Sequence, residues 1–325
     1  MDLIVVITMQ KTKIWALGDA VVDLIPIGNM NYRACAGGAP ANVAIGVAKL
    51  GNISGFIGRV GNDPFGHFME KTFLEYGVDC QYLEKDQKQK TSTVVVDLTE
   101  SGERSFTFLV TPSADQFLST AAIPTFNQDI LHFCSLALVA ETCRNTLSQA
   151  LQKLKQHNGL ISFDINLREQ MWADHQQMRQ QINTFCQDAD ILKLSAEELF
   201  WLTENHDWHD ALKQLAATYP ASLKIVTNGA DGCTIICHDH IYHFDSYKVN
   251  SVDTTGAGDA FVAGLLSSIA SSGLPQDKLM VEKMVTVASA CGALATTQKG
   301  ALTALPDSQF LQTFISENPI LMAKN

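Results

Sequence analysis

Short, almost wholly apolar runs rich in β-branched residues recur along this chain with helical stretches between them, and this alternation restricts the fold more than any other feature. The runs are Ile14 to Leu17, Ile53 to Ile57, Ile130 to Cys134, Leu160 to Phe163, Ile191 to Leu194 and Leu223 to Val226. Helical stretches fall at Ala41 to Leu50, Phe65 to Tyr76, Thr142 to Gln156, Ala196 to Leu202, Asp210 to Tyr219 and Ala257 to Ser272, with Gly51, Gly77 and Gly273 as stop signals. A strand that is apolar throughout must be covered on both faces, and alternation with helices makes neighbouring strands parallel. The expected fold is an α/β three-layer sandwich around a mostly parallel central sheet.

Two stretches break this rhythm. Thr91 to Leu98 and Arg104 to Val110 alternate in polarity and are joined by Thr99-Glu100-Ser101-Gly102-Glu103, the pattern of a hairpin. Together with Val21 to Ile27 they predict a small separate sheet, a lid built from insertions at about 21–36 and 91–112 in a single domain spanning 13–320. A second hairpin is expected at Thr234 to Phe244. Residues 1–10 read as a flexible extension: the run Leu3 to Ile7 follows Asp2 and is too short for a signal peptide.

Charge narrows the choice of partners. With 23 Lys and Arg against 34 Asp and Glu the formal net charge is −11, which leaves no basic stripe for nucleic acid or an anionic membrane. No run reaches the ~18 apolar residues of a membrane span. The eight cysteines are scattered without a CxxC pair and read as buried small hydrophobes of a reducing cytoplasm. A small anionic ligand remains compatible with this charge.

The polar residues sit where such a ligand would bind. Gly18-Asp19, Asp164-Ile165-Asn166, Lys193-Leu194-Ser195 and Thr227-Asn228-Gly229 each follow a predicted strand, and in an open parallel sheet ligands bind beyond the carboxyl ends of the strands. The motif Asp253-Thr254-Thr255-Gly256-Ala257-Gly258-Asp259-Ala260 is a glycine turn opening an apolar helix. Its glycines allow the amides of Gly256, Ala257 and Gly258 to converge with the helix N-terminus on a phosphoryl group. Asp259, in the first turn, is then a carboxylate beside an anion hole, placed to take a proton from an attacking hydroxyl. A dinucleotide fingerprint would need Gly where Phe261 stands, and Gly61-Asn62-Asp63-Pro64-Phe65-Gly66 lacks the Lys of a P-loop, since His67 follows. A second motif, Gly37-Gly38-Ala39-Pro40-Ala41-Asn42-Val43-Ala44, opens another helix with small residues and one polar group, Asn42, suited to a sugar hydroxyl. Helix packing accounts for its alanines equally well.

These two motifs, in this order, resemble the two signatures of the ribokinase-like (phosphofructokinase-B, PfkB) sugar kinases, and the resemblance extends from about Lys13 to Pro306. It implies an ATP-dependent kinase for a small sugar or nucleoside, with a β-sheet lid that often forms a homodimer interface. Transferred by position, Asp259 is the catalytic base and Gly256, Ala257 and Gly258 are the anion hole. Asp19, Asp23, Gly37, Gly38 and Asn42 match sugar-binding positions. Thr227, Gly229 and Gly232 resemble a nucleotide loop, and Gln298 to Ala301 the segment over the adenine, with Gly258 and Gly300 also on the ATP side. Asp253 and Thr255, with carbonyls near Ala295, Gln298 and Gly300, match a monovalent-cation (K⁺) site.

One departure concerns Mg²⁺. The family's Asn-x-x-Glu reads Ser195-Ala196-Glu197-Glu198 here, so Glu198 is kept while Ser replaces Asn; a hydroxyl can orient a water, and Lys193 adds charge. Ser195 and Glu198 also have the spacing of a helix capping box, and the two roles are compatible. Phe163-Asp164-Ile165-Asn166-Leu167-Arg168 with Met171-Trp172 resembles a stretch of fructokinases, with Asn166 and Arg168 able to orient a polyol. The same segments resemble aminoimidazole riboside kinase, so fructose leads and the riboside stays open as the alternative substrate. Arg104 flanks the predicted lid strand in which Phe106 and Phe108 share one face, to cover a sugar ring or to form the lid's own core. A catalytically silent sugar- or nucleotide-binding protein would be marked by a lost Asp259 or a broken Gly-Ala-Gly, and both are intact. His238, His240 and His243 flank a short turn that splits them between faces, and no metal site is expected there.

Overall fold

The computed structural model describes residues 12–98, 104–238 and 240–324, without the side chains of 97, 98 and 104–106. The expected N-terminal extension and the tip of the first hairpin lie outside these residues. The chain enters through β1 (Ile14–Leu17), crosses into a small sheet by β2 (Val21–Pro26) and β3 (Tyr32–Gly37), and returns along α1 (Ala39–Lys49) to β4 (Ser54–Gly61), α2 (Pro64–Glu75) and β5 (Asp79–Asp86). The small sheet is completed by β6 (Ser92–Leu98) and β7 (Arg104–Phe108). The main sheet resumes with β8 (Ile130–Cys134), α3 (Glu141–Gln156), β9 (Leu160–Asp164), α4 (His175–Cys186), β10 (Ile191–Ser195), α5 (Ala196–Thr203), α6 (Trp208–Thr218) and β11 (Leu223–Thr227). The hairpin β12 (Cys233–Cys237) and β13 (His240–Phe244) precedes α7 (Ala257–Ser272), α8 (Lys278–Ala295) and α9 (Ser308–Glu317).

The main sheet has nine strands in the order β13-β12-β11-β10-β9-β8-β1-β4-β5. All pairs from β5 to β11 are parallel, and the expected second hairpin adds the two antiparallel strands at one edge. The central strands are buried on both faces, as their unbroken apolar sequence requires: Ile14, Ala16 and Leu17 are each 0% exposed. Trp15, Leu17, Phe133 and Phe163 pack on one side with Leu147, Leu151 and Ile182 of α3 and α4, while Ile14, Ile130 and Ile191 pack on the other with α1, α7 and α8.

The smaller sheet has the order β3-β2-β6-β7, with β2 and β6 parallel. The expected strand at 21–27 and the hairpin are both present, and β3 is an addition that the sequence did not reveal. The structure also adds β5, α4, α8 and α9, and β4 continues to Gly61 where a stop at Ile57 was expected. His238 lies by the Pro275 carbonyl at 2.9 Å and His243 by the Thr234 hydroxyl at 2.9 Å. Among the described residues no helix is long and apolar enough to cross a membrane.

Candidate active site

Parallel register lines up the polar strand ends. Cys134 of β8 pairs with Asp164 of β9, Asp164 with Lys193 of β10, and Ser195 with Thr227 of β11. Gly18 and Asp19 follow β1 immediately, so these residues form one row along the carboxyl edge of the sheet. A cavity of 250 Å³ opens above it, bounded by the N-termini of α1 and α7 and by Phe108 of the small sheet. Neither helix has a side-chain cap: the N-cap positions are Gly38 (φ 99°) and Gly256 (φ 75°). By contrast α2, α4, α5, α6, α8 and α9 carry an Asp or Ser cap. The start of α3 at Ala140 also lacks a side-chain cap, and of these three helices α1 and α7 face the same cavity, where their first amides can hold anionic or hydroxyl oxygens. Glycine is obligatory at both caps. A Cβ on Gly38 would come within 2.6 Å of the Asp19 carbonyl oxygen, and one on Gly256 within 2.8 Å of the Ala301 Cβ.

Asp259 sits in the first turn of α7, half-buried at the cavity wall, and accepts a 2.7 Å hydrogen bond at Oδ2 from Asn42 Nδ2. Burial pushes its carboxyl above the usual aspartate value, with Asn42, Lys193 and Arg168 pulling it back. The result is a carboxylate of enhanced basicity beside the free amides. Lys193 lies below it, with Nζ 3.5 Å from where a Cβ on Gly258 would stand and 3.0 Å from Asp164 Oδ2. Burial works against the Lys193 charge, yet Asp164, Glu198 and Asp259 together hold the ammonium up to about 12. Asp164 Oδ1 is buried with no hydrogen-bond partner. Asp19 is 6% exposed, and burial, reinforced by Asp115, raises its carboxyl to about 7.

The Ser195 and Glu198 pair forms the full capping box, with Glu198 N–H donating to Ser195 Oγ at 3.2 Å and Ser195 N–H to Glu198 Oε2 at 2.7 Å. Glu198 Oε1 also accepts from the Leu167 amide at 2.6 Å. One carboxylate thus clamps the start of α5 to the loop that carries Asn166 and Arg168, and Ser135 Oγ holds the Asn166 carbonyl from the other side at 3.1 Å.

Asp253 ties together the two segments matched to the cation site. Its Oδ1 accepts from the Thr255 amide and hydroxyl at 3.0 and 2.8 Å, and its Oδ2 from the Gly300 amide at 2.9 Å. The amides of Val252 and Asp253 both reach the Thr296 carbonyl, just past Ala295 at the end of α8 and two residues before Gln298. A carboxylate among carbonyls is the oxygen set that a hard cation takes, so these residues fit a monovalent ion. Beyond β11, Thr227, Gly229 and Gly232 form a tight turn closed by the Asn228 amide on the Gly232 carbonyl at 2.8 Å. A Cβ on Gly232 (φ 98°) would lie 1.9 Å from the Phe244 carbonyl oxygen.

Of the residues singled out in the sequence, Asp19, Asp23, Gly38, Asn42, Phe108, Asn166, Arg168, Lys193, Thr255, Gly256, Gly258 and Asp259 line the cavity. Gly37 stands behind it against Asp23, where a Cβ would be 2.3 Å from Oδ2. Ser195, Glu198, Thr227, Gly229, Gly232, Asp253, Ala257, Ala295, Gln298 and Gly300 are not among the residues that line it. The side chains of Arg104 and Phe106 are outside the described set. The cavity also takes in Val21, Cys134, Leu136, Asp164, Gln170 and Ala301. For Asp164 the signal was available, as a carboxylate ending an apolar strand two residues before Asn166.

An α/β sheet whose carboxyl edge holds an uncapped helix N-terminus, a basic carboxylate and a buried lysine has the layout of a phosphotransferase acting on a small hydroxylated substrate. The model for the pfkB family of carbohydrate kinases matches residues 11–308, and the chain belongs to that family. It is 47% identical to a fructokinase of Escherichia coli over 94% of this chain and 99% of the relative. Among solved structures, fructokinase from Vibrio cholerae in its fructose-, ADP- and calcium-bound form superposes with a TM-score of 0.89 at 45% identity, covering 94% of this chain and 99% of that one. Aminoimidazole riboside kinase from Salmonella enterica, complexed with aminoimidazole riboside and an ATP analogue, superposes at 0.86 with 37% identity, covering 94% and 100%.

Proposed function

We propose that this protein is an ATP-dependent fructokinase that transfers the γ-phosphate of ATP to the primary 6-hydroxyl of D-fructose. The observation that carries the reading is the placement of Asp259, a carboxylate made more basic by burial, at the free N-terminus of α7 and 2.7 Å from Asn42. Asp259 takes the proton of the sugar hydroxyl as its oxygen attacks the γ-phosphorus, the bond to the ADP oxygen breaks, and the amides of Gly256, Ala257 and Gly258 hold the charge on the transferred group. Lys193 supplies a fixed positive charge on the phosphate side, and in a chain of net charge −11 phosphate affinity has to come from such local groups. The sugar is held by Asp19, Asp23, Gly38, Asn42, Asn166 and Arg168. Thr227, Gly229, Gly232, Gln298 and Gly300 border the nucleotide.

Mg²⁺, when bound with ATP, supplies charge neutralisation for the phosphates. The open Oδ1 of Asp164 and the carboxylate of Glu198 fit its water shell, and Asp253, Thr255 and the carbonyls near Ala295, Gln298 and Gly300 fit K⁺. The small sheet acts as a lid, with Phe108 over the sugar, and closure excludes water that would otherwise hydrolyse ATP. Met30 and Ile27, in the turn between β2 and β3, and Leu109, just past β7, are 84, 58 and 56% exposed at the rim of that sheet, which suits lid-to-lid pairing into a homodimer. All eight cysteines are free thiols, in keeping with a cytoplasmic enzyme.

Aminoimidazole riboside is the second candidate substrate, on the strength of the 39% identity to the riboside kinase of Salmonella typhimurium. A coupled ADP-release assay with fructose, ribose and aminoimidazole riboside separates the readings. Fructose is expected to give the highest kcat/KM; a higher value for the riboside transfers the assignment, and no turnover with any acceptor leaves a binding protein.

A further inference from the structure

A second cavity lies away from the sheet edge. It has a volume of 380 Å³ and is enclosed by the C-terminal half of α7, the N-terminal half of α8, and α9. That volume falls in the range of small-molecule sites, about 300 to 1,000 Å³. Each helix contributes one stripe. Met280, Lys283 and Met284 of α8 and Leu311 and Ile315 of α9 follow helical spacing, and α7 presents a row of serines that includes Ser267 and Ser271.

Two features of the lining are unexplained by folding alone. Ser267 is 7% exposed, yet its Oγ has no hydrogen-bond partner. A serine within a helix can return its hydroxyl to the carbonyl four residues earlier, as Ser271 does to Ser267 at 2.9 Å. A buried hydroxyl left unsatisfied is a net cost to the fold. Lys283 is the one charged side chain lining the cavity among the described residues, and it forms no ion pair or hydrogen bond there. The walls thus combine a single positive charge, a buried hydroxyl without a partner and an apolar interior of methionine, leucine and isoleucine.

That combination selects a ligand class. A phosphate dianion would leave a charge uncompensated against apolar walls, and a cation would meet Lys283. A neutral hydrocarbon would leave both the hydroxyl and the ammonium unanswered. We propose that this cavity is a second small-molecule site, distinct from the kinase centre, that binds a monocarboxylic acid with an apolar body. The carboxylate accepts from Lys283 and Ser267, and the body packs against Met280, Met284, Leu311 and Ile315.

The test uses full-length protein with ¹³C-methyl-labelled methionine, 4-phenylbutyrate as probe, and 4-phenylbutan-1-ol as its uncharged counterpart. Phenylbutyrate is expected to shift the Met280 and Met284 methyl resonances saturably and to bind about tenfold or more tighter than the alcohol, the difference made by a charge-assisted hydrogen bond. Lys283→Met, at an exposed position, should remove that difference and leave the alcohol unaffected. Ser267→Met, which fills the cavity, should abolish both shifts; if that variant misfolds, the Lys283 comparison decides alone. The proposal is overturned if the two methyl signals stay still up to millimolar probe, if Lys283→Met binds phenylbutyrate as tightly as the parent, or if fructose or ATP displaces the probe.

Discussion

Asn42 of α1 and Asp259 of α7 are joined by a 2.7 Å hydrogen bond that links the two helices whose uncapped N-termini open on the active-site cavity. Asn42 spends its amide on the carboxylate, while its own Oδ1 is buried without a partner and remains an acceptor for a substrate hydroxyl. In the proposed mechanism this residue orients the base and addresses the sugar at once. Replacing Asp259 with Asn keeps the shape and removes the proton acceptor. Asp259→Asn should lower kcat on the order of 10² or more with ATP affinity nearly intact. Steady-state ADP release together with nucleotide titration checks this, and a variant retaining a third of the activity removes Asp259 from the role of base.

Asn42→Ala tests the electrostatic half of the same contact. Burial raises the Asp259 carboxyl and the Asn42 hydrogen bond lowers it, so losing the donor raises it further. The base must be ionised to work, and activity rises with pH through its titration. The acid limb of kcat/KM should accordingly move to higher pH in Asn42→Ala. A profile that drops in height at an unchanged midpoint would show that Asn42 contributes sugar binding alone.

Gly256 and Gly273 bracket α7 with φ of 75° and 77°, but ψ is 3° at Gly256, a left-handed turn, and −178° at Gly273, an extended conformation kept for glycine, and only Gly256 faces a neighbour, Ala301, within 4 Å. Alanine is strained at both, by roughly 1 to 2 kcal/mol in the left-handed turn at Gly256 and about 1 to 3 kcal/mol in the extended conformation at Gly273. At Gly256 it also displaces the amides proposed to hold the phosphoryl group. Both variants should melt a few degrees lower, while kcat falls tenfold or more, about 1.4 kcal/mol in the barrier, for Gly256→Ala alone. Equal kcat losses would mean that the turn acts through helix stability and not through the anion hole.

The parts of this site that depend on local backbone chemistry are legible in the sequence. Glycine turns before α1 and α7, polar residues closing apolar strands, and the Ser195 to Glu198 spacing all state their roles within a few residues. What escapes is set by tertiary context. The strand β5, Asp79 to Asp86, is an edge strand carrying charges, and its propensity is poor without β4 beside it. The helix α8 is buried along most of its length, so Val281, Val285, Ala288 and Leu294 leave no clean polar face to mark a period. Cys134, Leu136 and Gln170 enter the cavity only because β8 and the loop after β9 end in register with β1. The Glu198 clamp on Leu167 spans 31 residues and has no local signature.

That clamp makes Ser195 a test of the departure from Asn. Ser195→Ala removes the acceptor for the Glu198 amide and should cost about 1 kcal/mol, as lost caps do. It also frees one end of the Glu198 brace, so the KM for ATP·Mg²⁺ should rise. Asn caps helices as well as Ser, and Ser195→Asn should restore both the melting temperature and the KM. If Ser195→Asn behaves like Ser195→Ala, the hydroxyl itself has a role beside the metal that an amide does not fill.

If Asp19 binds the sugar as proposed, it does so at the expense of stability, and the sign of its pH dependence separates the two. Its carboxyl stands at about 7 in the folded protein against an ordinary value of 3.8, because burial and Asp115 oppose ionisation, with Asp259 adding to them and Arg168 opposing. Between those values the folded state holds more protons than the unfolded chain, so this contribution is fully present near pH 4 and is lost as pH climbs through 7. Asp19→Asn has no proton to lose. It should be more stable than the parent at pH 8, on the order of 2 to 4 kcal/mol at most, with the gap closing toward pH 4. The same variant should bind fructose more weakly, since an amide cannot replace a carboxylate accepting two hydroxyls. Melting curves across that pH range, paired with the sugar KM, check both halves. A stability gap that is flat with pH would show that the Asp19 carboxyl titrates in the ordinary range and that sugar affinity here carries no electrostatic cost.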